Sequence, residues 1–151
     1  MEVLTIYNDM TKAYKGKYKV KNPEKYKGNP SNVIFRSSWE LRFFNYCDKN
    51  PDIIQWSSEE VVIPYKSPID GKYHRYFPDV WVKTSLGEVY LIEIKPFKET
   101  QEPKKRSRIT KQYLNEVKTY GININKWKSA EEYCRDRKWK FKIITENELN
   151  L

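Results

Sequence analysis

The sequence predicts an α/β domain whose elements run helix, three strands, helix, helix, strand. Three observations carry that prediction. Residues 37–49 place apolar side chains at helical spacing, residues 76–96 read as two strands around one turn, and residues 139–145 alternate as a strand after a second helical region. At 151 residues the chain is expected to form one domain, long enough to bury a core.

Composition bounds the function classes. The 38% hydrophobic, 32% charged and 15% aromatic content describes a soluble, folded chain and excludes a disordered one. A formal charge of +9, from 29 Lys and Arg against 20 Asp and Glu, favours a polyanionic partner. No apolar run approaches the ~20 residues needed to span a bilayer, so no membrane partner is expected. Met1-Glu2-Val3-Leu4-Thr5-Ile6 shows neither the basic nor the apolar region of a signal peptide. Cys47 and Cys134 fall in helical patterns and are expected as reduced, partly buried thiols, which fits a cytosolic setting.

In chain order, residues 11–30 alternate tyrosines with lysines from Lys12 and Tyr14 to Tyr26 and Lys27, broken by Asn22-Pro23 and Asn29-Pro30. We expect an extended, basic, Tyr-rich arm over residues 1–30. Such an arm could grip phosphates and stack on unpaired bases, or pack a few tyrosines on the domain. Ser37 followed three residues later by Glu40 is a capping-box signature, and Asn50-Pro51 supplies a stop. Leu41, Phe44 and Cys47 fall at helical spacing, as do Trp39, Phe43 and Tyr46, so much of this helix should be buried. Glu40 keeps two readings: it reaches back to the Ser37 amide, or it joins a metal site.

Ile53–Ser57 and Val61–Tyr65 read as a first strand broken near Ser58-Glu59-Glu60, with Asp70-Gly71 as a hairpin turn. Tyr73–Lys83 is the second strand and Val89–Lys95 the third. Beyond Pro96 a polar loop leads to Lys104, Lys105, Arg106, Arg108 and Lys111, at the start of a helix outlined by Ile109, Tyr113, Leu114, Val117 and Tyr120 and ended by Gly121. These five cations are either a solvated face or a phosphate clamp at a helix N-terminus. Ser129 opens a further helix, Ala130–Lys138, with Glu131 and Glu132 in its first turn, and Trp139–Thr145 alternates as the last strand.

The stretch from Tyr76 to Pro96 carries the chemistry. In a strand, Val89, Leu91, Glu93 and Lys95 share one face while Tyr90, Ile92 and Ile94 share the other. Antiparallel pairing across the Thr84–Glu88 turn brings Asp79 to the same end of the ribbon. Two carboxylates can hold a hard cation, and a lysine can orient its water or steady charge on a phosphate. The plain alternative is a hairpin whose acids and lysine are solvated on an open sheet face.

Pro78-Asp79, followed after 13 intervening residues by Glu93-Ile94-Lys95, resembles the PD-(D/E)XK motif of restriction-type endonucleases. The order of elements, with Glu40 on the first helix, looks like the restriction-endonuclease-like fold, including the transposase subunits that cleave transposon ends. The blocks Phe35-Arg36-Ser37-Ser38-Trp39-Glu40, Gln55-Trp56-Ser57-Ser58-Glu59, Arg75-Tyr76-Phe77-Pro78-Asp79, Ile92-Glu93-Ile94-Lys95-Pro96 and Asn125-Lys126-Trp127-Lys128 are similar to the head-completion nucleases of tailed bacteriophages, from about Gly16 to Leu149.

The resemblance implies an α-β-β-β-α-β core with a mixed central sheet flanked by helices over residues 31–151. It implies a DNA endonuclease using Mg²⁺, with Mn²⁺ as a substitute, that processes DNA ends during head completion. It carries over Glu40, Asp79, Glu93 and Lys95 as the catalytic set, with Glu40, Asp79, Glu93 and the Ile94 carbonyl as metal ligands. Arg36, His74, Arg75 and the basic stretch 104–111 become expected DNA contacts, on duplex DNA without sequence preference. Glu116 either supports the metal site or pairs with Lys111 or Lys118 on the surface. Portal, head or neck proteins are expected partners, in the host cytoplasm or on the virion. Two alternatives stand: a non-catalytic virion or DNA-binding adaptor, and a resolvase, transposase-type or repair nuclease. The intact set of three acids and a lysine favours an enzyme.

Overall fold

The computed structural model describes residues 15–149; residues 1–14 and the last two lie outside the described part, Lys12 and Tyr14 of the basic arm among them. The chain begins with β1 (Gly16–Lys17) paired to β2 (Ile34–Phe35), then α1 (Ser38–Lys49), β3 (Ile53–Ser58), β4 (Ile63–Lys66), β5 (Tyr73–Tyr76), β6 (Val80–Thr84) and β7 (Val89–Ile94). A long helix α2 (Lys111–Arg137), β8 (Lys140–Ile144) and a short α3 (Glu146–Leu149) complete it. The central sheet is mixed, in the order β3-β6-β7-β8, with β8 parallel to β7 and the other pairs antiparallel. The expected α-β-β-β-α-β core is therefore present, with the β4–β5 ribbon inserted between its first two strands.

Each face of the sheet is covered by one helix. Ser37 starts α1: its backbone is extended and its hydroxyl accepts from the Glu40 N–H at 3.1 Å. The helix buries Phe43, Phe44 and Cys47 against Trp56, Val80, Val82, Ile92 and Ile94. Trp56 and Phe44 are fully enclosed, and truncating either to alanine should cost about 3–5 kcal/mol. On the other face, α2 packs Trp127, Ala130 and Cys134 against Trp81, Leu91 and the ribbon residues Ile63, Tyr65 and Tyr76.

Two local expectations are corrected. The two helices read over 107–121 and 130–138 are one, because half-buried Ile122 and Ile124 and buried Trp127, Ala130 and Cys134 hold the chain against the sheet from Gly121 onward, whereas Leu114 and Val117 before it are exposed. Gly121 sits inside the helix, where an added Cβ would meet only Pro68 at 3.7 Å. The true end is Lys138, at φ 61°, with the Trp139 N–H reaching the Cys134 carbonyl at 2.8 Å in a Schellman-type closure. The strand read over Tyr73–Lys83 is two, because buried Pro78 offers no N–H to a ladder. The strand read over 53–65 breaks where expected, at Glu59, whose φ is 53°.

The segment before β2 lies against the domain. Tyr18 and Tyr26 are buried, and both rings meet Trp56 edge-on, at 5.9 Å and 4.8 Å. Their neighbours Lys15, Lys17, Lys19 and Lys21 are exposed. Among the described residues, no helix is long and apolar enough to cross a membrane.

Candidate active site

The β6–β7 hairpin builds the centre of the site. The Thr84 N–H donates to the Glu88 carbonyl at 2.8 Å, and Gly87 supplies the left-handed turn residue at φ 84°. The register pairs Val80 with Ile92, so Asp79 lies one step further out, across from Glu93. The Asp79 Oδ2 accepts from the Ile94 N–H at 2.7 Å, which ties the acid to the neighbouring strand end. Strand alternation sends Ile92 and Ile94 into the α1 side of the core and Leu91 to the α2 side. Glu93 therefore shares the α2 side with Tyr76, whose hydroxyl donates to Glu93 Oε2. Half-buried Lys95 follows where β7 meets β8, its N–H donating to the Ile144 carbonyl at 2.9 Å.

The electrostatics set this end apart. Burial, then the charge and hydrogen bond of Glu93 and the charge of Glu40, push the Asp79 carboxyl well above the usual carboxylate range. Glu40 is buried and pushed up to about 7 by burial and by the charge of Glu59, against the opposing pull of the Arg36 backbone and guanidinium. Its Oε1 is buried with no hydrogen-bond partner. Glu40 thus divides its two readings: its backbone N–H is the group capped by Ser37, while its carboxylate faces the charges of Glu59 and Glu93.

The remaining expected residues scatter. Arg36 pairs with Glu59 at the rim, close enough for Glu40 and Asp79 to raise its pKa further. His74 and Arg75 lie on the β5 ribbon rather than on the Asp79 strand; both are exposed, His74 is held by Asp70 at 2.8 Å, and Arg75 lies 5.7 Å from the Phe77 ring. Lys104, Lys105, Arg106 and Arg108 precede the helix, which starts at Lys111 behind a Thr110 cap, so the expected clamp is mostly an exposed loop. Glu116 pairs with Arg106 at 3.3 Å, a surface ion pair with a different partner from the lysines expected.

Three residues were not singled out by sequence reasoning. Tyr76 bridges the ribbon to Glu93, and Glu59 sits strained in left-handed backbone with its N–H on the Asp79 carbonyl at 3.2 Å. Lys126 reaches over from α2: its ammonium lies 5.6 Å from the ring centroids of both Tyr65 and Tyr76, within the fields of Glu93, Lys95 and Asp79. Its signal in the sequence is the block Asn125-Lys126-Trp127-Lys128, which carries part of the resemblance without a role for Lys126. Among the described residues, no three acidic, histidine or cysteine side chains converge into a ready-made metal cage. The unit is a carboxylate pair, with Glu40 nearby.

A mixed sheet between two helices, with buried Glu93, half-buried Asp79 and a lysine at the end of its central hairpin, is the restriction-endonuclease-like arrangement. Residues 50–146 match the family model described as TnsA-like endonuclease N terminal, and the chain belongs to that family. It is also 48% identical over 141 residues to the head completion nuclease of Enterobacteria phage T4, an alignment spanning 91% of this chain and 94% of that protein. The segment matched to the family contains Asp79, Glu93, Lys95 and Lys126; Glu40 precedes it.

Proposed function

We propose that this chain is a metal-dependent DNA endonuclease that processes the ends of packaged duplex DNA as phage heads are completed. The observation that carries this reading is the Asp79–Glu93 pair, set across from each other by the hairpin register beside Lys95 at the end of β7. Membership of an endonuclease family supports hydrolysis, and kinship with a protein named head completion nuclease supports the setting. Portal, head or neck proteins would dock it, and the work would take place in the host cytoplasm or on the maturing virion.

The donor set fits a hard divalent cation. Raised, mutually repelling carboxyls and an unpartnered Glu40 Oε1 are relieved by an oxygen-seeking ion, and a pair rather than a cage leaves room for waters and phosphate. Asp79 and Glu93 would hold Mg²⁺, or Mn²⁺ in its place, with Glu40 and the Ile94 carbonyl completing the protein's share. When bound, the ion supplies an acidified water and neutralises charge growing on the phosphate. Glu40 and Asp79 would hold the ion in their ionised forms, which burial and the neighbouring acids disfavour in its absence. Lys95 orients the water for attack in line with the leaving oxygen. The water oxygen bonds phosphorus, the bridging P–O bond breaks, and the leaving oxygen takes a proton, giving one end with phosphate and one with hydroxyl. Arg36 and the loop 104–111 would hold neighbouring phosphates.

The test is incubation of linear, nicked and supercoiled plasmid with purified protein in Mg²⁺, Mn²⁺ or EDTA, beside Lys95→Ala. Metal-dependent cutting that the variant loses while still binding DNA is the expected result. Salt-sensitive binding with no cutting in either metal would overturn the enzyme reading in favour of an adaptor.

A further inference from the structure

Lys126 is a half-buried cation placed beside the acid pair yet not spent on it. Among the described residues its ammonium makes no ion pair, although Glu93 and Asp79 are close enough to raise its pKa and Lys95 to lower it. The side chain is set in the α2 face that also buries Asn123, Trp127 and Ala130. Its head rests against Tyr65 and Tyr76, 5.6 Å from each centroid, and the Tyr76 hydroxyl in turn donates to Glu93 Oε2. Partial desolvation without a carboxylate partner disfavours an ammonium, and the aromatic faces offset only part of that cost. A plain packing role would be served by the methylene stem, with the charge extended into solvent.

The missing partner is an anion that comes only with the substrate. A phosphodiester arriving at Asp79 and Glu93 meets two acids, and the reaction then adds negative charge to the non-bridging oxygens. A fixed ammonium next to that position acts where charge develops and needs no rearrangement at the moment of reaction. Lys95, from the strand end, and Lys126, from the helix, bring two cations to the acid pair from different elements.

We propose that Lys126 is a catalytic residue that donates to a non-bridging oxygen of the scissile phosphate, dividing the work with Lys95. The inference rests on the nuclease reading above and adds to it a second lysine and the substrate atom that it contacts.

The discriminating variant is Lys126→Met, which keeps the stem over Tyr65 and Tyr76 and removes the charge; Lys126→Arg keeps the charge. With Mg²⁺ and saturating plasmid, the single-turnover rate of Lys126→Met should fall about 100-fold. Its dissociation constant for DNA in EDTA should change less than about threefold, and its melting temperature should not fall. Lys126→Arg should recover part of the rate. An undiminished rate in Lys126→Met, or a loss confined to DNA affinity, overturns the inference while leaving the nuclease intact. A loss of rate that tracks a fall in melting temperature and is not recovered by Lys126→Arg assigns a structural role and overturns it as well. A wild-type protein that cuts nothing overturns both this inference and the reading beneath it.

Discussion

Two regions of this domain bury carboxylates, and they do so to opposite effect. Asp48, 1% exposed at the end of α1, accepts from the Tyr18 hydroxyl at 2.8 Å and from the Lys21 and Asn22 amides at 2.7 and 3.0 Å. Burial pushes its pKa up, but these donors outweigh it and the net shift is downward. Asp79 and Glu40 receive the same push from burial with too few donors to reverse it, and their neighbours are other acids. A satisfied acid ties the segment 18–25 to the domain, whereas the acids at the site keep a charge that their own surroundings do not balance.

The largest expected effect breaks the site without breaking the fold. Asp79→Asn should lower metal-dependent cleavage by about 1,000-fold, roughly 4 kcal/mol of barrier, while the metal-free protein melts no lower than wild type. Asp48→Ala should do the reverse, costing about 3–5 kcal/mol in denaturant unfolding because the Tyr18 hydroxyl and two amides lose their acceptor. A melt of Asp79→Asn as damaged as that of Asp48→Ala would erase the contrast.

Acid and base titrations sharpen it. Glu40 holds a proton up to about pH 7 in the folded state but only to about 4.5 unfolded, so the folded form binds more protons between those values. In EDTA, stability should therefore fall as pH rises from 4.5 to 7, by about 2–3 kcal/mol from this group, and Glu40→Gln should flatten that slope. Asp48, shifted the other way, contributes stability that is present above its ordinary pKa of 3.8 and lost as pH falls below it. Denaturant midpoints across pH 3–8 in both variants check both signs.

The smallest effect compares two left-handed residues. Lys138→Gly, at a plain helix end, should stabilise by about 0.5–1 kcal/mol. Glu59→Gly removes similar strain but also the Arg36 pair and a charge facing Glu40, so its effect should appear in the Glu40 titration and not only in melting. Equal behaviour of the two would make Glu59 an ordinary turn residue.

Much of this was legible locally. Period-two alternation from Val89 to Lys95 and the Thr84–Glu88 turn set Asp79 against Glu93, and the hairpin register bears that placement out. Ser37 and Glu40 marked the start of α1, yet the same two residues could not say where the Glu40 carboxylate points. Gly121 misled because a glycine stop is a local signature, while the burial that carries α2 through it comes from strands distant in sequence. Lys126 then fell between the two helices read from spacing, within the resemblance block 125–128 that assigns it no role. Asp48 offered no sign of its role, since its donors lie in the Tyr-Lys segment read as an arm.

By itself the sequence determined the order of elements, the paired strands and the residues able to bear the chemistry, because side-chain period and turn preference are properties of neighbours along the chain. Only the tertiary structure decided which acids are satisfied and which are left wanting, how far α2 runs, and which helix cation comes within the field of the acid pair. Desolvation and charge act through space, and the groups that exert them here come from four separate elements brought to one end of a sheet.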